Sequence, residues 1–124
     1  MNDARISSGN NNIQQRRSAD MTEHRKKLHD LLDMREEAKD IKSELAKHED
    51  NFNDAVRKRS IIISRFDSKD NDNEDHFLEQ LRLVEEKIHF HREKISQLQQ
   101  QQVNQREAIV ILETEIKMEE NGKN

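Results

Sequence analysis

Proline, cysteine, tryptophan and tyrosine are absent from the 124 residues, and glycine occurs only at Gly9 and Gly122. Without cysteine there is no disulfide scaffold, no CxxC redox site and no thiolate-bound zinc. Four phenylalanines, with no Tyr or Trp beside them, are too few for a compact globular core of ordinary density. No apolar run approaches the ~20 residues that a membrane helix needs. The opening segment MNDARISSGNNN has no apolar stretch of the secretory-signal kind, so an intracellular, cytoplasmic setting is expected, with the nucleus as the alternative.

What remains is a chain for one domain at most. Charged residues make up 39% and hydrophobic ones 31%, a balance that suits long solvated helices better than a closed core. Residues 1–66 carry 14 Lys+Arg against 12 Asp+Glu, residues 67–75 one against five, and residues 76–124 seven against nine. No segment is basic enough for a dedicated nucleic-acid surface, so nucleic acid is not an expected partner.

Three points punctuate the chain. Residues 1–19 are rich in Asn, Ser and Gln and read as a disordered tail. Asp67–Asp75, DSKDNDNED, is crowded with Asp and Asn, whose side chains compete for local backbone groups and oppose helix. Residues 121–124, NGKN, read as a helix stop and disordered end, with Gly122 free to turn left-handed. Two helices are therefore predicted, at 20–66 and 76–120, with an acidic loop at 67–75. Ser18 or Asp20 suits the first N-cap, and Asn73 or Asp75 the second.

Both helices carry a heptad pattern. In the first, position a falls on Leu31, Ala38, Leu45, Phe52, Arg59 and Phe66, and position d on Met34, Ile41, His48, Ala55 and Ile62. Nine of these eleven are apolar. The second steps by four and three through Phe77, Leu81, Val84, Ile88, His91, Ile95, Leu98, Gln102, Gln105, Ile109, Leu112 and Ile116, again with nine apolar. A period of 3.5 held this long is a coiled-coil signature. The expected fold is all-α: an antiparallel two-helix coiled-coil hairpin, pairing Phe66 with Phe77, Ala55 with Ile88 and Leu31 with Leu112. The alternative is a long continuous helix in a parallel coiled coil. In the hairpin, Glu49 should flank Arg92, Arg35 should flank Arg106, and Lys58 should flank Lys87.

Residues that suggest chemistry have plainer readings. His89 and His91 are two apart, so on a helix they point about 200° from each other and cannot share an ion. His48 at a seam position reads as a register-setting polar residue. Two helices offer no concave pocket for paired carboxylates, so no catalytic residue, cofactor, metal or small-molecule substrate is expected. Gln97–Gln105, QLQQQQVNQ, puts Gln102 and Gln105 in the seam and reads as a loosened stretch. The basic groups Arg16–Arg17, Arg25–Lys27 and Arg57–Arg59 read as solvated faces; the last precedes Ser60 in the manner of a basophilic kinase site, and Ser18 is a second phosphorylation candidate. Ile61–Ile63 is a β-branched run. A strand there, as in the β-hairpins of prefoldin-type chaperone subunits, would need a second strand that the acidic loop does not supply.

Apolar residues remain outside the seam. Near the loop these are Val56, Ile61, Ile63, Leu78, Leu83 and Phe90; near the other end, Leu28, Leu32, Val103, Val110 and Ile111. Clustered Val, Ile and Phe off the seam mark a surface for a further helix. The first six are the expected partner-binding residues. The expected function is a non-enzymatic scaffold subunit of a hetero-oligomeric assembly with other coiled-coil proteins, in vesicle or organelle tethering, the cytoskeleton or a nuclear complex. The competing reading is a homodimeric adaptor rod that binds through its basic tail or acidic loop. A holdase chaperone of the prefoldin kind comes third.

Overall fold

The computed structural model describes residues 8–68 and 73–122, with side chains at 22–67 and 73–122. It is all-helical among these residues. Helix α1 spans Ser8–Ser68 and helix α2 spans Glu74–Gly122, and the two pack against each other. The continuous helix does not form, because α1 ends at Ser68 and Asn73 lies outside both helices. Ile61–Ile63 is part of α1, and no strand occurs among the described residues.

The helix ends differ from expectation in three places. Ser8–Ala19, expected as part of a tail, continue α1. Extending a formed helix adds one hydrogen bond per residue fixed and needs no new nucleus, and the segment holds no proline to stop it. Residues 1–7 of the expected tail lie outside the described residues. At the acidic break, Asp67, Ser68, Glu74 and Asp75 are helical, so the break is shorter than predicted; residues 69–72 lie outside the described set. Asn73 takes the N-cap position: its carbonyl accepts the first helical bond, from the Phe77 N–H at 3.0 Å. Glu74 and Asp75 then fill the first turn, where negative charge suits the helix dipole, and Arg65 sits in the last turn of α1. At the far end α2 runs through Gly122, which has no positive φ, so it does not act as a left-handed stop.

The chain divides into two compact units, Ala38–Asn104 and the pairing of Met1–Glu37 with Gln105–Asn124. In Ala38–Asn104, every seam position read from the heptads is buried or half-buried, and only Val56 joins them from outside the pattern. Ala55, Val84 and Ile88 form the core there, with Phe52, Ile62 and Leu81 packed on it. Phe66 stacks on Phe77 at 3.8 Å between ring centroids, as the expected pairing requires. In the other unit, Leu31, Leu112 and Ile116 are the buried centre, flanked by Met34 and Ile109. Its seam runs further than the apolar pattern reached. His24, Lys27 and Glu119 stand at the next heptad positions and are half-buried, with Glu119 bonded to both Lys27 and His24.

Burial between the helices is concentrated in the seam. Ile88, the most enclosed side chain, is 3% exposed, whereas Leu83 on the flank is 46% exposed. Replacing Ile88 by Ala should therefore cost about 2 kcal/mol or more. Leu83→Ala in the isolated chain should stay within about 0.5 kcal/mol. Urea unfolding followed by circular dichroism checks both.

Candidate partner-binding surface

The six predicted partner residues do not share one face. Val56 is half-buried and packs on the Ala55, Val84 and Ile88 core, so it is largely consumed by the fold. Ile61, Ile63, Leu78, Leu83 and Phe90 are all exposed, by 41–51%. Ile61 and Ile63 are two apart on one helix and so point about 200° apart, to opposite flanks of the seam. Ile61 of α1 and Leu83 of α2 line one cleft with Ile62 and Val84. Leu78 and Phe90 lie with Leu81 along a shallow groove of α2. Ile63 lines neither. Among the residues off the seam near the other end, Leu32, Val110 and Ile111 are exposed by 55–61%, and Val110 lines a groove with Leu31 and Ile116.

The two clefts differ in charge. Along the α2 groove the charges neutralise one another locally. Arg82 binds Glu79 at 2.6 Å and also Glu86, and His89 meets Glu93 at 3.2 Å. The hydrogen bond from Arg82 holds the Glu79 carboxyl below its usual range. The Ile61–Leu83 cleft is instead rimmed by Lys58, Arg65 and Lys87. Lys58 and Lys87, expected to flank each other, do line the same cleft, and neither has a carboxylate within 4.0 Å among the described residues. The other cations of the expected charge pairs make further contacts. Arg92 lies over the Phe52 ring, 5.7 Å from its centroid. Arg35 pairs with Glu113 at 2.9 Å. Each contact lets a long, flexible cation reach an attractive partner.

Polar side chains complete the seam where the apolar pattern lapses. His48 Nδ1 and His91 Nδ1 are 3.0 Å apart, with ring centroids at 5.2 Å. Phe90 stands edge-on to both rings. One imidazole must donate and the other accept, so the contact needs at least one neutral ring. The sequence singled out His89 and His91 as neighbours, but His89 is on the surface with Glu93, and the partner of His91 comes from the other helix. Among the described residues no group of three or more His, Asp or Glu could hold a metal ion. Gln105, read as part of a loosened stretch, donates to the Met34 carbonyl at 2.8 Å and to Glu37 at 3.2 Å. Two further seam groups show the same economy: Lys27 is pushed up by its bond to Glu119, and Glu119 is pulled down by Lys27 and then His24.

The histidine layer makes stability depend on pH. Burial, then positive charge on His48 and Lys87, holds His91 below its ordinary value of 6.5. The unfolded ring takes its proton first as pH falls, so the unfolded chain binds more protons between the two values. Stability is full above about pH 6.5, falls through the window below it, and the loss is complete under the depressed native value. The paired carboxylates Asp54, Glu79 and Glu119 lose their contribution only in the separate acid range below about 4.5. The urea midpoint should drop between about pH 7.5 and pH 5.5, and His91→Leu should flatten that drop. An unchanged slope in the variant would assign the drop elsewhere.

Compared with protein-family models, curated proteins and solved structures, the chain has no significant match.

Proposed function

We propose that the chain is a non-enzymatic structural subunit of a larger hetero-oligomeric coiled-coil assembly. In this reading it is an antiparallel hairpin whose loop-proximal flank receives a helix from another coiled-coil protein. The observation that carries it is the exposure of Ile61, Leu83, Leu78 and Phe90 beside a seam that is already complete. A two-helix pair has one seam to fill, and side chains of this kind beside it serve a third helix. The open, apolar-floored clefts support the same reading, since they suit inserted side chains better than an enclosed substrate. Tethering of vesicles or organelles, the cytoskeleton and nuclear complexes are the proposed settings. The competing homodimeric adaptor would bind through its basic tail or acidic loop instead.

Antiparallel pairing is supported by contacts whose sequence separation grows away from the break. Phe66 meets Phe77, His48 meets His91, and Lys27 meets Glu119. Spin labels at positions 45 and 98 should lie about 10 Å apart within one chain diluted by unlabelled protein. Several tens of Å would eliminate the hairpin.

Partner capture is the functional test. Ile61→Ser with Leu83→Ser should remove stoichiometric partners from an affinity purification in the native cell while helicity is retained. Survival of those partners, with loss on neutralising Arg16, Arg17, Arg25, Lys26 and Lys27, would favour the adaptor. Sedimentation of the pure protein separates the readings further, because a self-sufficient homodimer is monodisperse alone.

A further inference from the structure

Resting on the partner-helix reading above, we infer that the helix received by the Ile61–Leu83 cleft is amphipathic with acidic flanks. Three observations on one flank lead there. The floor is apolar, built from Ile61, Ile62, Leu83 and Val84. The rim is cationic, with Lys58 and Arg65 on α1 facing Lys87 on α2. The cationic character then continues along α2, where Lys94 follows Lys87 by one heptad. Lys94 lies over the Phe90 ring at 5.8 Å from its centroid.

Lys58, Lys87 and Lys94 have no carboxylate within 4.0 Å among the described residues. On the same face Asp54 is engaged by Arg57 at 2.6 Å and attracts Lys58 only at longer range. The opposite side of α2 shows the contrast: Arg82 is shared between Glu79 and Glu86, and His89 is met by Glu93. Like charges placed across a helix pair repel. Lys58 and Lys87 therefore weaken the lone pair of helices and gain when an anion enters between them. A phosphate backbone would meet the cations but leave the Ile61–Leu83 floor unfilled. A helix with Leu or Ile along its stripe and Glu on either side satisfies both, and rim charges of this kind govern which partner is accepted.

The test uses the full chain and two synthetic amphipathic peptides of about three heptads that share one leucine stripe. One carries Glu at its flanking positions and the other Lys, and binding is followed by fluorescence anisotropy. The Glu peptide should bind roughly tenfold or more tighter than the Lys peptide, and lose affinity as salt is raised. Lys58→Glu with Lys87→Glu should reverse the preference at unchanged helicity. If that variant loses helicity, Lys58→Gln with Lys87→Gln should still narrow the preference. No binding of the Glu peptide, an equal or tighter Lys peptide, or a preference that survives both variants overturns the inference. So does a single-stranded oligonucleotide that binds tighter than the Glu peptide. These results stay distinct from the partner-helix reading itself. If native partners are lost with Ile61→Ser and Leu83→Ser but charge reversal has no effect, the cleft is a partner surface whose charge is irrelevant. If the partners survive the serine changes, the partner-helix reading fails.

Discussion

Everything in this protein depends on burying one narrow apolar stripe per helix. With 31% hydrophobic residues and no Trp or Tyr, the chain has no material for a layered core. A 3.5-residue period is the arrangement that lets so few apolar side chains meet continuously along two helices. The consequence is visible in the burial. Ala55, Val84 and Ile88 approach full enclosure, yet no side chain among the described residues falls below 2% exposure. Two helices cover each other on one side only. Stability is thus spread thinly along the seam, and any substitution there acts on a structure with little in reserve.

The polar interruptions of the stripe are consistent with that constraint. A buried polar group is tolerable only when it finds a partner, and His24, Lys27, His48, His91, Gln105 and Glu119 do. His48 answers His91, Gln105 answers the Met34 carbonyl, and Glu119 answers Lys27 and His24. No buried side-chain polar atom is left without a partner among the described residues. Such layers add less than leucine would, but they penalise a shifted register, since a slip of one heptad would set His48 or Gln105 against a hydrocarbon. The histidine layer adds a dependence on protons that an apolar layer lacks.

The flanks carry what the seam does not use. On one side of α2, Arg82 and His89 are met by carboxylates of the same helix, and on the side shared with α1, Lys58 and Lys87 line one cleft. Exposed Ile61 and Leu83 alone would be unremarkable on any protein surface. Their enclosure by Lys58, Arg65 and Lys87 gives the cleft a preference as well as an apolar floor.

The seam was legible in the sequence by itself, residue by residue, because heptad spacing is a property of helix geometry and needs no long-range information. The helix break was legible for the same local reason, although its edges moved inward by the helical Asp67, Ser68, Glu74 and Asp75. The polar extension through His24, Lys27 and Glu119 sat at the correct heptad positions but carried no hydrophobic signal to reveal it. Only the tertiary structure decided the rest. It took Val56 into the core, set Ile61 and Leu83 in one cleft, sent Ile63 to the other flank and brought His48 to His91. It also moved Arg92 onto Phe52 and Arg35 onto Glu113. Those choices depend on which side chains of a second helix stand opposite, and on how far a flexible cation reaches, neither of which is encoded in the spacing along one helix.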